Sequence, residues 1–196
     1  MALFVQLFLK IFLILTPFFV MSVFLVMSKN LEDKQRKRLA LKVGISVMIL
    51  NLSMFYLGEY IFKLFGVTID AFRIGAGALL FLSAVAIVKG DIGEQMNDSS
   101  DVAVVPLAIP VTVGPGTIGM LLVLSGEMIT INEKLIATGA MILASLLLGY
   151  MLSIAVKIEK VIGSKGIAIL SKITGLFVAS VASHLIIIGI RNLFNS

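Results

Sequence analysis

Apolar residues run along this chain in long blocks separated by short polar segments. Each block is at least as long as the ~18–20 residues needed to cross a bilayer as a helix. The pattern predicts six spans, at about 3–28, 39–65, 71–89, 102–125, 134–156 and 167–194. A charged segment, 29–38, ends the first, and a polar loop, 90–101, follows the third. The first block lacks a basic leader and a small-residue cleavage site, so it reads as a retained span rather than a signal peptide.

The fourth span breaks the pattern. Between Val105 and Ile118 it carries Pro106, Pro110, Gly114, Pro115 and Gly116. A proline inside a helix removes one N–H and clashes with the preceding turn. In hydrocarbon the released carbonyls find no water, so broken backbone persists only where protein buries it or where it lines a polar cavity. The run therefore predicts a discontinuous helix, with halves at 102–109 and 117–125. Pro115 suits the first turn of the second half, where no N–H is needed. The N–H groups of Gly116, Thr117 and Ile118 are then expected to face a cavity and favour an anionic group such as a carboxylate. Released carbonyls near Pro110 and Thr112 are expected to accept from an ammonium or hold a cation. The plainer reading of the same residues is a proline kink that improves helix packing.

Thr16-Pro17 interrupts the first span in the same way, and Pro17 lies 98 residues before Pro115. Arg73 opens the third span and Lys172 the sixth, 99 residues apart. Two landmarks at nearly one offset predict an internal repeat, 1–95 and 96–196, within a single transmembrane domain, 1–196. Three spans per half insert the second repeat upside down. Secondary transporters use such inverted repeats and bind substrate near the midplane between them.

Composition agrees with a membrane domain: 59% of residues are hydrophobic, only 14% are charged, and mean hydropathy is +1.11. The chain has no cysteine and one histidine, which excludes disulfides, thiolate sites and a multi-histidine metal centre. The net charge of +5 is explained by orientation rather than by nucleic acid. The segments after spans one, three and five carry Lys29, Lys34, Arg36, Lys37, Arg38, Lys42, Lys89, Lys157, Lys160, Lys165 and Lys172. The other side has Lys63, Arg73, Lys134 and Arg191, with Lys10 left inside span one. The positive-inside bias places the first group in the cytoplasm and both termini outside.

Few other polar residues fall within spans. Arg73, beside Asp70, and Lys172 are either interfacial anchors or gating groups. Asn51 is placed to bond across helices. Glu59, near a span end, and His184, in mid-span with Ser180 one turn earlier, are candidates for proton coupling, against the plainer reading of satisfied polar contacts. Gly75 and Gly77, with Ala76 and Ala78, predict a small-residue packing face. No nucleophile–base pair, phosphate-binding loop or paired intramembrane aspartates occur, so the expectation is a protein that is not an enzyme and has no cofactor.

At these residues the chain resembles the MarC family of bacterial integral membrane proteins. The resemblance rests on Pro106-Leu107-Ala108-Ile109-Pro110 with Gly114-Pro115-Gly116-Thr117-Ile118, on Asp70-Ala71-Phe72-Arg73-Ile74-Gly75-Ala76-Gly77, and on Gly58-Glu59-Tyr60 with Phe65-Gly66. It implies a six-span inner-membrane protein of the wider lysine-exporter superfamily, some of whose relatives are described as carriers of small neutral amino acids. The family's first span usually reads Asn-Pro-x-Gly-x-x-Pro, where this chain has Thr16, Pro17, Phe19 and Ser22. A typical glutamine and aspartate of the sixth span are His184 and Ile188 here. The first helix is accordingly expected to be kinked or broken, with Phe19 narrowing the cavity.

The expected fold is all-α, six transmembrane helices as two inverted three-helix repeats. The expected function is a secondary transporter or exporter of small zwitterions, chiefly neutral amino acids, by alternating access. Its substrate site is expected at Thr16, Pro17, Pro110, Thr112, Gly114, Pro115, Gly116 and Thr117, with Arg73, Glu59, Asn51, His184 and Lys172 in gating or coupling. Membrane lipids are the expected surroundings, self-association is compatible with the pattern, and no metal is required. The alternative is a protein that handles lipids or lipid-linked precursors, or a scaffold without transport. A side-opening cavity lined by Arg73 or Lys172 would favour that alternative.

Overall fold

The computed structural model describes residues 2–90 and 113–195. The expected first half of span four, with Pro106, Pro110 and Thr112, lies outside them. The described residues fold as helices without strands: α1 (Ala2–Ile14), α2 (Pro17–Met27), α3 (Asp33–Phe65), α4 (Ile69–Lys89), α5 (Pro115–Glu127), α6 (Ile131–Ser153) and α7 (Ala155–Asn195). Among them, five stretches are long and apolar enough to cross a membrane: Ala2–Met27, Asp33–Gly58, Ile69–Lys89, Ile131–Ser153 and Ala155–Phe194.

The first span is broken rather than kinked. Leu15 N–H still bonds Ile11 O at 3.0 Å, and Thr16 N–H bonds Leu13 O at 3.0 Å, closing a tighter last turn. Thr16 then turns left-handed, at φ 47° and ψ 57°, and Pro17 restarts the helix at its first position. A β-branched residue rarely adopts this conformation, which costs of order 1–2 kcal/mol.

The basic run Lys34–Arg38 is helical, not a loop. Glu32 and Gln35 form a reciprocal capping box that starts α3 at Asp33, six residues before the expected span. Arg36 reaches back from it, donating from Nη2 to the carbonyls of Ser28 at 3.0 Å and Leu31 at 3.2 Å. That ties α3 to the C-cap of α2 and to the turn after it, where Ser28 O also accepts from Leu31 N–H at 3.1 Å. Thr130 and Glu133 cap α6 in the same way. A non-helical Gly163, at φ 75° and ψ 160°, divides α7 into a short lead-in and a long membrane span.

In lipid there is little hydrophobic drive between helices, so close backbone approach decides which faces meet. The contacts follow the glycines. A Cβ on Gly44 would lie 2.9 Å from Gly149 Cα, which packs α3 against α6. Buried Asn51 donates from Nδ2 to buried Ser145 Oγ at 3.2 Å across that interface. Tyr56 Oη lies 2.8 Å from Thr138 Oγ1 further along it. Thr138 already donates to Lys134 O, so the tyrosine hydroxyl is the donor.

Helix α4 sits between α5 and α7, and the two halves of span one diverge, α1 packing on α6 and α2 on α7. A Cβ on Gly77 would meet Ile186 Cγ1 at 2.7 Å and Ala182 O at 2.9 Å, while one on Gly175 would meet Val88 Cγ2 at 2.8 Å and Ala84 O at 3.3 Å. The expected small-residue face of α4 is therefore split. Ala76 and Gly77 are buried, but Gly75 and Ala78 are exposed, and a Cβ on Gly75 would touch nothing within 4 Å.

Candidate functional site

Two short helices, α2 and α5, each begin with proline in the first turn. At the start of α2, Thr16 is 5% exposed, Pro17 is buried, and the Thr16 side chain caps no N–H. At the start of α5, Gly114 is the extended N-cap residue, Pro115 follows, and Gly116 and Thr117 are buried.

The surroundings of α5 depart from the sequence expectation in two details. Ile118 N–H is taken by Gly114 O at 2.9 Å, so it is not open to a ligand. Gly116 serves helix packing: a Cβ there would lie 2.6 Å from Leu80 Cα and 2.7 Å from Leu80 N. Gly119 meets Ala76, and Gly126 meets Ile69, on the same face. Pro110 and Thr112 lie outside the described residues.

At one end of the bundle stands an ion cluster. Arg73, at 13% side-chain exposure, donates from Nη1 to Asp70 Oδ1 and from Nη2 to Glu127 Oε1 at 2.8 Å. Asn192 donates to the same Asp70 oxygen at 2.9 Å. The cluster thus ties the starts of α4, the end of α5 and the end of α7. Lys10, half-buried in α1, feels the charges of both Glu127 and Arg73. Arg73 is more than a local anchor, and its Nε is a buried donor with no partner among the described residues. Glu127, Asn192 and Lys10 were not singled out from sequence. Lys10 carried the one available signal, a charge inside an apolar span.

The other end of α4, fourteen residues or roughly 20 Å further along, borders the first of two adjoining hollows between α2 and α7. One, of about 210 Å³, is lined by Phe19, Ser22, Val23, Ile87, Ser171 and Lys172, among others. The second, of about 290 Å³, shares Ser22 and Val26 and adds Lys29, Glu159 and Ser164. Phe19 and Ser22 thus face a cavity, as does Lys172. A third hollow, of about 330 Å³, lies near the Arg73 end between Phe62, Ile69, Ser125 and Ile129.

The remaining candidates are dispersed. Asn51 is fully buried, bonded to Ser145, with its Oδ1 lacking a partner among the described residues. His184 is exposed on the outer face of α7, and Ser180, also exposed, bonds its own helix at Leu176 O. The Glu59 side chain lies outside the described residues. Among those described, no group of three or more His, Cys, Asp or Glu residues could hold a metal ion.

Several relatives match this chain over nearly the whole length of both sequences. A UPF0056 membrane protein of Pyrococcus horikoshii is 33% identical, covering 97% of this chain and 96% of its own. One from Methanocaldococcus jannaschii is 32% identical, covering 96% of each. The UPF0056 membrane protein YhcE of Escherichia coli is 28% identical, over 95% of this chain and 91% of its own. No solved structure matches. The model of the MarC family of integral membrane proteins matches residues 1–194, so a broken first span, a proline-led α5 and an arginine-opened α4 come together here in a chain that belongs to the MarC family.

Proposed function

We propose that this protein is a secondary transporter of small zwitterions, chiefly neutral amino acids, working by alternating access between two inverted repeats. One observation carries the reading: two half-helices open on proline, 98 residues apart, inside the membrane domain. Half-helix termini in mid-membrane supply dipoles and backbone groups for a polar solute without needing charged side chains.

The helix contacts support the same symmetry. Adding 98 to Gly77 gives Gly175, and subtracting 98 from Ala182 and Ile186 gives Ala84 and Val88. The contacts of Gly77 with Ala182 and Ile186 therefore exchange with those of Gly175 with Ala84 and Val88. Two such repeats rocking about the α4–α7 seam would expose a central site to each side in turn. The positive-inside bias of the basic segments supports a cytoplasmic position for the end with Lys29 and Lys172.

The test is counterflow in liposomes holding the purified protein. Preloaded unlabelled alanine or glycine is expected to drive saturable accumulation of the labelled amino acid. If none of the twenty common amino acids is exchanged above protein-free liposomes, the reading fails.

One observation favours a lipid-handling reading: the hollow of about 210 Å³ is walled mainly by apolar side chains such as Phe19, Val23 and Ile87, beside Lys172. In that case an anionic phospholipid, and no amino acid, would raise the unfolding temperature of the protein in detergent.

A further inference from the structure

We propose that the hollows between α2 and α7 form the receiving mouth for the transported zwitterion, in which Lys29 and Lys172 take its carboxylate and Glu159 takes its ammonium group. The proposal rests on the transport reading above and adds the recognition chemistry at one end of the path.

The Arg73–Glu127 bridge has related positions at the other end of the bundle. The 98-residue exchange that relates Pro17 to Pro115, and the Gly77 contacts to those of Gly175, sends Glu127 to Lys29. It sends Arg73 to Ser171, and the Arg73–Lys172 offset of 99 sends it to the next residue. At one end of the bundle the related positions hold a cation and a carboxylate in contact, 2.8 Å apart. At the other end the related positions hold Lys29 and Ser171, with Lys172 directly after it, and there the adjoining hollows lie, with Lys172 lining one and Lys29 the other. Among the described residues neither lysine has an ion pair. Like charges oppose closure, whereas a carboxylate between them supplies what Glu127 supplies to Arg73.

Glu159 narrows the ligand class. It lines the same hollow as Lys29, so a simple anion such as phosphate is repelled by a like charge there, while an α-amino acid matches both signs. The apolar wall of Phe19, Val23 and Ile87 accepts a hydrocarbon side chain at little cost. The bland account of the lysines is orientation alone. It needs basic residues somewhere on that side, but it does not need Lys29, Lys172, Glu159 and three serines around one pair of hollows.

The chain has no cysteine, so a single Val26→Cys variant can be labelled cleanly. Val26 lines both hollows. The rate of its modification by a membrane-impermeant maleimide is measured in liposomes with L-alanine, L-leucine, acetate or methylamine. At several times the dissociation constant, an amino acid is expected to slow labelling roughly fivefold, while acetate or methylamine alone does not. Adding Lys29→Gln and Lys172→Gln is expected to abolish protection, and Lys172→Arg to retain it. Lys29→Glu places a carboxylate where Glu127 stands at the other end and is expected to slow labelling with no amino acid present. Equal protection by acetate, or protection surviving the double glutamine variant, overturns the proposal. No protection by an amino acid that the parent exchanges in counterflow overturns the proposal and leaves transport standing. Absence of counterflow for every amino acid removes both.

Discussion

Arg73 Nη2 stands 2.8 Å from Glu127 Oε1, joining the N-terminal part of α4 to the last turn of α5 across 54 residues of chain. Both side chains are largely buried, at 13% and 25% exposure. A guanidinium left there with one carboxylate fewer is poorly compensated. Glu127→Gln is expected to destabilise the protein by about 1–3 kcal/mol, read as a lower unfolding temperature in detergent. A double-mutant cycle with Arg73→Gln should give a coupling of about 1 kcal/mol or more. Additive effects of the two changes would show that the bridge is incidental.

Gly116 and Gly75 should respond oppositely to alanine. At Gly116 the new methyl would lie 2.6 Å from Leu80 Cα, backbone that cannot step aside, so a loss of about 1–3 kcal/mol is expected. At Gly75 the methyl meets nothing within 4 Å, and alanine should be neutral or stabilising by up to ~1 kcal/mol. Thermal unfolding of both variants in one detergent checks the pair. Equal effects would refute the packing role given to Gly116.

Thr16 holds a left-handed conformation that glycine adopts without strain. Thr16→Gly is expected to match or exceed the parent's stability by up to about 1 kcal/mol, while counterflow falls if the hydroxyl serves the substrate. Thr16→Val keeps the strain and loses the hydroxyl, so it should lower transport without gaining stability. A Thr16→Gly protein that is much less stable would mean that side-chain contacts, not the backbone break, hold this position.

The Asn51–Ser145 bond joins two fully buried groups of α3 and α6. Bonds of this kind in membranes average about 0.6 kcal/mol. Ser145→Ala should therefore cost about 0.5–1.5 kcal/mol, and Ser145→Thr less, in the same unfolding assay. A loss of several kcal/mol would assign Asn51 a wider polar network than the described residues contain.

Much of the fold is written locally. Proline cannot continue a helix, so the restarts at Pro17 and Pro115 are visible in sequence, and apolar block lengths place most helix ends within a few residues. The capping box at Glu32 and Gln35 is also local, yet the density of charge behind it suggests a loop. The site is less legible because its decisive partners are distant. Glu127 is an unremarked carboxylate near a span end until Arg73, 54 residues away, is brought against it. Gly116 reads equally well as a ligand contact or a helix contact until Leu80 fills the space. His184 shows a third limit. A membrane helix is apolar on every face, so periodicity does not reveal that His184 points outward and Asn51 inward.

The central claim is that the Arg73–Glu127 end and the Lys29–Lys172 end are alternate mouths of one path. Its most direct test is double electron–electron resonance on spin labels introduced into the cysteine-free chain, in liposomes, with and without a transported amino acid. One label pair, Val26→Cys with Ile169→Cys, reports α2 against α7. The other, Val67→Cys with Ile129→Cys, reports the start of α4 against the end of α5. All four positions are exposed. The account predicts opposed shifts: a shorter-distance population grows at the first pair while a longer one grows at the second. Distances that stay fixed at both ends, or move in the same direction, would contradict it.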